Sequence, residues 1–256
     1  MKIKLSIFLC LILGSSLLVS CGAYGSSPPA ATSANAAQED SVILRETVDM
    51  GQEYIDSFIF FGESTTYHLK SREVLTGGKA TTQVLGNESG TAILDNTTSS
   101  TMVIYPETGE TMTFFEAIER KKPTYLFMSF GLNGASYKLQ RGEEYFKECY
   151  QKLIAAVRQA SPSTKIILGS CYPVAKNMDM SRYTINAREL NDTIRTLNGW
   201  TLELCYEEDL RYLDLYSIMT DGNGYLRLDY QVGDGHHLTV EAYKKIIEYI
   251  RTHGYK

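Results

Sequence analysis

Three short segments of the chain carry side chains that could together attack an acyl carbonyl. Ser64 follows an apolar run that ends at Gly62, Asn133 lies in a glycine-flanked turn, and Asp234 and His237 lie three residues apart near the C-terminus. A serine hydroxyl becomes a nucleophile when an imidazole, oriented by a carboxylate, accepts its proton. An asparagine N–H can stabilise the oxyanion that then develops. These residue types therefore favour nucleophilic acyl chemistry.

The turn that contains Asp234 holds two histidines, so the choice of base must be argued. A spacing of three residues can place the Asp234 carboxylate against Nδ1 of His237, which leaves Nε2 free to accept a proton. This spacing favours His237 over His236. The competing interpretation makes Asp234, His236 and His237 zinc ligands, but adjacent histidines rarely converge on one ion, so we expect no metal. His68 is expected to be a surface residue.

Four short apolar runs indicate the strands that would position these groups. They lie at 57–61, 124–130, 164–168 and 211–215. Runs that are apolar on both faces are typical of a parallel sheet covered by helices. The first two runs end at Gly62 and Gly131, each two residues before a candidate site residue, Ser64 and Asn133.

Helical patterns alternate with these runs. They cover 114–122, 142–160, 185–208 and 240–252, with Thr113 and Thr239 as N-caps of the first and last and a possible kink at 198–199. The alternation predicts an α/β three-layer sandwich with about five parallel strands. In such sheets ligands bind beyond the carboxyl ends of the strands.

The segment 74–112 departs from this alternation. Short strand-like runs at 84–85, 91–94 and 102–105 are separated by Asn, Gly and Thr. We interpret them as one further strand of the sheet and a small β-hairpin insertion.

Composition excludes several classes of protein. The chain has 256 residues, 25 Lys and Arg against 30 Asp and Glu, and a net charge of −5. A large nucleic-acid footprint would need clustered basic residues, so we expect no nucleic-acid partner. The predicted domain has three cysteines, Cys149, Cys171 and Cys205. An odd number without a CxxC pair does not indicate a disulfide framework, so we expect each to pack as a small apolar group.

The order of the three segments resembles the SGNH hydrolases, also called the GDSL esterase family. Residues 62–64 (Gly-Glu-Ser) resemble the family's Gly-Asp-Ser block, 131–133 its Gly-x-Asn block, and 234–238 its Asp-x-x-His block. The family's remaining glycine is best matched by Gly90, within 89–91, with Gly86 and Gly78 as rivals. Glu63 departs from the pattern, because the family usually has Asp there.

This resemblance implies a flavodoxin-like sandwich and ester hydrolysis that needs no cofactor. Ser64 would be the nucleophile, His237 the base and Asp234 its orienting carboxylate. The oxyanion hole would be formed by the Ser64 N–H, the Gly90 N–H and the Asn133 amide. A hairpin insertion at 91–105 would resemble that of clostridial-type secreted members.

The N-terminal forty residues predict export and lipid attachment. Residues 1–20 have a basic start and an apolar run, as a signal peptide does, and 18–21 (Leu-Val-Ser-Cys) resemble the lipobox of bacterial lipoproteins. Cys21 would then carry acyl chains that hold the protein on the outer face of the bacterial cell membrane. Residues 21–40 would form a flexible tether, and 41–256 the hydrolase domain.

These features predict a serine esterase that acts on short acyl esters of cell-wall or extracellular carbohydrate, with acetyl esters as the main expected substrates. The alternatives are a catalytically silent glycan-binding lipoprotein and an acyltransferase that uses the same triad. The sequence leaves open the acyl length, the alcohol part of the substrate and the oligomeric state.

Overall fold

A parallel β-sheet forms the centre of the domain. The computed structural model describes residues 42–255, so the predicted signal peptide, Cys21 and the tether lie outside the described residues. In chain order the strands are β1 (Phe58–Gly62), β2 (Met102–Ile104), β3 (Thr111–Thr113), β4 (Tyr125–Ser129), β5 (Lys165–Gly169) and β6 (Arg211–Leu213). Strands β1, β4, β5 and β6 lie side by side in that order, all parallel.

Single parallel bridges extend this sheet at both edges. Val84 pairs with Phe60 on the outer side of β1, and Ile43 pairs with Tyr212 on the outer side of β6. The expected α/β architecture with a parallel sheet is confirmed, and the segment 74–112 contributes the predicted further strand only as the single bridge of Val84 beside β1.

Helices cover both faces of the sheet. They are α1 (Gly51–Asp56), α2 (Ser64–Ser71), α3 (Phe114–Lys121), α4 (Ala135–Arg141), α5 (Glu143–Ala160), α6 (Ala187–Glu207), α7 (Leu215–Met219) and α8 (Val240–Thr252). Both predicted N-caps form: the Thr113 hydroxyl accepts from the Glu116 amide, and the Thr239 hydroxyl accepts from the Ala242 amide. Between residues 42 and 255, no helix has the length and apolar character needed to cross a bilayer.

The alternation of side chains along β1 creates the three layers. Phe58 and Phe60 belong to one buried cluster, which includes side chains of α1, α2 and α8. Ile59 and Phe61 belong to the other, which includes side chains of α3, α5 and α6. Because both faces of the strand are buried, it has no polar face, as the apolar run predicts.

The hairpin insertion lies later in the chain than predicted. It is formed by β2 and β3, which pair antiparallel from Met102 to Thr113, and the prediction of 91–105 is wrong in its bounds. The segment 91–94 forms no strand, because the Asn87 amide side chain binds the Thr91 carbonyl and residues Leu94–Asn96 turn into a 3-10 helix. Local side-chain bonds of this kind compete with strand pairing.

Two other boundaries differ from the pattern. The last strand ends at Leu213 instead of residue 215, because the Asp214 carboxylate accepts from the Ser217 amide and begins α7. Helix α6 continues through residues 198–199, where a kink was possible. Cys149, Cys171 and Cys205 are buried free thiols, as expected.

Candidate active site

The turn between β1 and α2 presents Ser64. Strand β1 ends at Gly62, and Ser64 is the first residue of α2. A Cβ at position 62 would lie 2.4 Å from the Ser129 carbonyl oxygen and 2.6 Å from the Thr66 hydroxyl oxygen, so only glycine fits there. The missing side chain lets the chain pass close to β4 and turn at once into the helix. Ser64 is consequently held at the carboxyl edge of the sheet and remains partly exposed.

Ser64, His237 and Asp234 form a continuous hydrogen-bonded chain. The Ser64 Oγ lies 3.1 Å from Nε2 of His237, although 173 positions separate the two residues. Nδ1 of the same ring lies 2.7 Å from Oδ2 of Asp234. This is the arrangement in which a carboxylate orients an imidazole that takes the proton of a serine hydroxyl.

Asp234 is held as a carboxylate by its own turn. Its Oδ1 accepts from the His236 amide at 3.0 Å and from the His237 amide at 2.9 Å. Partial burial opposes ionisation, but these two amides and the His237 ring outweigh it and hold the pKa of Asp234 well below its usual range. The group is therefore negatively charged wherever His237 needs orienting.

Two further histidine rings pack against His237. The His68 ring lies 4.6 Å from it and the His236 ring 4.0 Å, between centroids. Burial, with the nearby His237, lowers the pKa of His68 to about 4 and also lowers the pKa of His236. Both rings are therefore neutral near pH 7, where they do not add positive charge beside the base.

His68 contradicts the expectation of a surface residue. It is half-buried, and its Nδ1 is a buried atom without a hydrogen-bond partner in the described part of the chain. The signal was available: His68 follows Ser64 by four residues, and that spacing places two side chains on the same face of a helix.

His236 takes no part in the Ser64 contact. Its Nδ1 lies 3.3 Å from the main-chain oxygen of Asp234. One atom each of Asp234, His236 and His237 lie within 4.8 Å of one another, which is the geometry of the alternative metal site. Both ring nitrogens of His237 are already in contact with Ser64 and Asp234, so a metal bound there would compete with the hydrogen-bonded chain.

Two N–H groups converge beside Ser64. The Ser64 amide donates to the Thr91 hydroxyl at 3.0 Å, and the Asn133 side-chain Nδ2 donates to the same oxygen at 3.4 Å. The structure thus brings two of the three predicted oxyanion donors to one point. The third, the Gly90 amide, donates to the Asn87 carbonyl at 3.0 Å within its own turn.

Glu63 positions the loop that carries Asn133. Its carboxylate is 1% exposed and accepts from the amides of Gly131, Leu132 and Asn133 at 3.0 to 3.1 Å. Burial raises the pKa of Glu63 to about 7, against the opposing effect of these amides and of Lys138. The side chain that departs from the family pattern therefore ties the Ser64 turn directly to the Asn133 loop.

Lys138 closes this network beneath the loop. Its side chain is fully buried, and Nζ donates to the Asn133 carbonyl and lies 3.3 Å from Oδ2 of Asp95. Sequence reasoning missed this lysine, because a lysine on a short helix is ordinarily exposed. Its partner Asp95 lies in the 3-10 helix Leu94–Asn96, which is distant from Lys138 in the chain.

Comparison with known proteins agrees with this geometry. Residues 60–245 match the model of the GDSL-like lipase/acylhydrolase family. None of the curated proteins matches the sequence significantly.

Solved structures resemble this chain at low sequence identity. A candidate platelet activating factor from Streptococcus pneumoniae is 17% identical, with a TM-score of 0.52, over 76% of this chain and 82% of that one. A candidate lipolytic protein of the G-D-S-L family from Desulfitobacterium hafniense is 18% identical, with a TM-score of 0.49, over 76% and 97% of the two chains. The family match covers most of the chain, and the protein belongs to the GDSL-like lipase/acylhydrolase family of carboxylic ester hydrolases.

Proposed function

We propose that this esterase hydrolyses short acyl esters, acetyl in the first place, through a triad of Ser64, His237 and Asp234. The observation that carries the proposal is the unbroken contact from the Ser64 hydroxyl through both nitrogens of the His237 ring to the Asp234 carboxylate. No other serine is needed for this chemistry, and the partly exposed Ser64 is open to a substrate.

The reaction follows from the geometry. His237 Nε2 takes the proton of Ser64 as Oγ attacks the ester carbonyl, and the Asp234 carboxylate stabilises the imidazolium that forms. The Ser64 amide and the Asn133 side chain face the carbonyl oxygen as it becomes an oxyanion. His237 returns the proton to the leaving alcohol, and water then cleaves the acyl-enzyme by the same steps in reverse order.

The proposed substrate class rests on the surroundings of the nucleophile and on the N-terminal segment. The side chains around the Ser64–His237 pair include Thr91, Asn133, His68 and His236, which are polar and suit a small, hydrophilic ester. A lipid anchor at Cys21 would hold the domain outside the bacterial cell membrane, where acetylated cell-wall or extracellular carbohydrate is available. Location and site chemistry together support carbohydrate deacetylation.

The test is hydrolysis of p-nitrophenyl esters of rising chain length, beside acetate release from acetylated polysaccharides. We expect Ser64→Ala and His237→Ala each to lower kcat by at least about 10³-fold, since each removes a member of one catalytic unit. His253→Ala is the matched control and should retain kcat within about threefold, because His253 lies beyond the far end of α8 and contacts Thr252 and Tyr249 instead of the triad. Undiminished turnover in Ser64→Ala would falsify the assignment.

Two further experiments distinguish the proposed esterase from the alternatives predicted from the sequence. A silent glycan-binding protein would not react with a serine-directed fluorophosphonate, whereas the proposed esterase becomes labelled at Ser64. An acyltransferase would transfer the acetyl group to an added glycan acceptor in preference to water, and mass analysis of the products separates transfer from hydrolysis.

A further inference from the structure

The turn that carries the base His237 also brings together side chains that bind zinc in proteins. One ligand atom each of Asp234, His236 and His237 lie within 4.8 Å of one another. Adjacent histidines rarely share an ion, but in this turn Nδ1 of both rings faces the same carboxylate. Imidazole nitrogens and a carboxylate oxygen are typical zinc ligands. The turn therefore holds a donor set of two nitrogens and one oxygen.

The spacing of these donors is close to what zinc requires. Two ligands that bind a tetrahedral zinc ion at about 2.0–2.1 Å lie about 3.3–3.4 Å apart. In the protein, Nδ1 of His237 lies 2.7 Å from Oδ2 of Asp234, and Nδ1 of His236 lies 3.6 Å from Oδ1 of the same carboxylate. Side-chain movements on the order of 1 Å therefore bring the three donors to one ion.

The cluster is both held in place and open to ions from solution. Oδ1 of Asp234 accepts from the His236 amide at 3.0 Å and from the His237 amide at 2.9 Å, and the Val232 amide donates to the His237 carbonyl at 3.0 Å. The side chains of Asp234, His236 and His237 are 39%, 28% and 23% exposed. An ion can thus reach donors whose main chain is already ordered, which lowers the cost of binding.

Zinc bound to Nδ1 of His237 would disable the base. The ion takes the place of the proton that lies between this nitrogen and Oδ2 of Asp234. A ring nitrogen that binds zinc carries no proton, so the one proton of the neutral ring then lies on Nε2. Nε2 is the nitrogen 3.1 Å from Ser64 Oγ. It would donate to the hydroxyl and could not take its proton.

We propose that Asp234, His236 and His237 form a reversible zinc site, with water as the fourth ligand, whose occupation inhibits this esterase. The ion and the hydrogen-bonded chain use the same nitrogen of His237, so each excludes the other. His236, which takes no part in the Ser64 contact, serves this site as a ligand. The inhibition rests on the proposed esterase function, whereas the binding of zinc does not.

Calorimetry with zinc chloride measures binding without any substrate. The protein carries no purification tag and is treated with EDTA and then dialysed. We expect one zinc ion per chain in the wild type and in Ser64→Ala, because the Ser64 hydroxyl is not a ligand. His236→Ala should weaken binding by at least about 10-fold, since loss of even an outer partner of a metal ligand costs about 10–100-fold. Unchanged affinity in His236→Ala would overturn the site.

Hydrolysis of p-nitrophenyl acetate at rising zinc concentration measures inhibition, after subtraction of the rate without protein. Each variant is compared with its own rate without zinc, so any effect of the substitution on the basal rate does not enter, and that rate also shows that the variant is folded. The zinc concentration for half inhibition should rise at least about 10-fold in His236→Ala. EDTA should restore the rate of the inhibited wild type.

His253→Ala is the matched control, because this histidine follows α8 and stacks on Tyr249. Zinc should inhibit it at the same concentration as the wild type. Equal inhibition of the wild type and His236→Ala, or a wild type that about 1 mM zinc leaves fully active, would overturn the inhibitory site. A protein that binds zinc through His236 but hydrolyses no ester would retain the site and overturn the proposed function.

Discussion

At the scale of single residues, Glu63 links two parts of the site that the sequence separates. It follows Gly62 in the Ser64 turn, and its buried carboxylate accepts from three consecutive amides of the Asn133 loop. The family resemblance marks this position only as a departure from Asp. The structure shows a carboxyl group that holds the nucleophile and an oxyanion donor in fixed relation, so its protonation state bears on the stability of the site.

The raised pKa of Glu63 predicts how stability changes with pH. The folded protein retains this proton up to about pH 7, whereas the unfolded chain releases it near 4.5, the ordinary pKa of a glutamate side chain. The contribution of Glu63 to the free energy of unfolding is therefore fully present below about pH 4.5 and is lost as pH rises to about 7. Glu63→Gln removes this titration. We expect the wild type to lose roughly 2–3 kcal/mol relative to Glu63→Gln between pH 5 and 8.

Denaturant unfolding of both proteins across this pH range measures the difference. His68, with its lowered pKa, contributes the opposite slope below about pH 6.5, but it is present in both proteins and cancels in the comparison. Parallel stability curves for the two proteins would show that Glu63 does not titrate in this range.

At the scale of elements, the close crossing of β1 and β4 sets where α2 begins. A Cβ at Gly62 would lie 2.4 Å from a main-chain oxygen of β4, and main-chain atoms cannot rotate away. The start of α2 therefore depends on the absence of one side chain. Gly199, in contrast, lies exposed within α6, and a Cβ there would have no heavy atom within 4 Å beyond its own helix and its chain neighbours.

The surroundings of these two glycines predict opposite effects of alanine substitution on the free energy of unfolding. Gly62→Ala should lower the free energy of unfolding by at least about 2 kcal/mol and reduce kcat, because β1 must shift and carry Ser64 with it. Gly199→Ala should raise the free energy of unfolding by about 0.5–1 kcal/mol and leave kcat unchanged, since alanine favours the helix. Chemical unfolding and ester hydrolysis measure both. Equal stability changes of the same sign would contradict the steric argument.

At the scale of the whole molecule, the hydrolase domain and the proposed anchor are parts of the chain with independent effects. The described residues contain the complete hydrogen-bonded chain of Ser64, His237 and Asp234, and the family match lies within 60–245. Cys21 lies outside the described residues. Lipid attachment should therefore change where the protein is and leave its chemistry as it is.

Replacement of the proposed lipidation site tests this separation. In bacteria grown with labelled palmitate, we expect the wild type to become labelled and to sediment with membranes. Cys21→Ala should do neither, because the acyl chains supply the bilayer affinity. Its kcat on p-nitrophenyl acetate should equal that of the wild type. A Cys21→Ala protein that still takes up label and sediments with membranes would contradict the anchor.

By itself, the sequence determined what local chemistry controls. Apolar runs bounded by glycine located β1, β4 and β5, side-chain hydroxyls marked the caps of α3 and α8, and the spacing of Asp234 and His237 identified which histidine meets the carboxylate. Each of these signals acts over a few residues, so it can be read from the chain alone.

Tertiary structure alone decided how distant segments share the site. It placed the Thr91 hydroxyl between the Ser64 amide and the Asn133 side chain, packed His68 on His237, and buried Lys138 against Asp95. These contacts join loops and helices from different crossovers of a parallel sheet, and their partners lie far apart in the chain. No local pattern encodes such contacts, because they depend on the register of strands and on which loop reaches across the sheet edge.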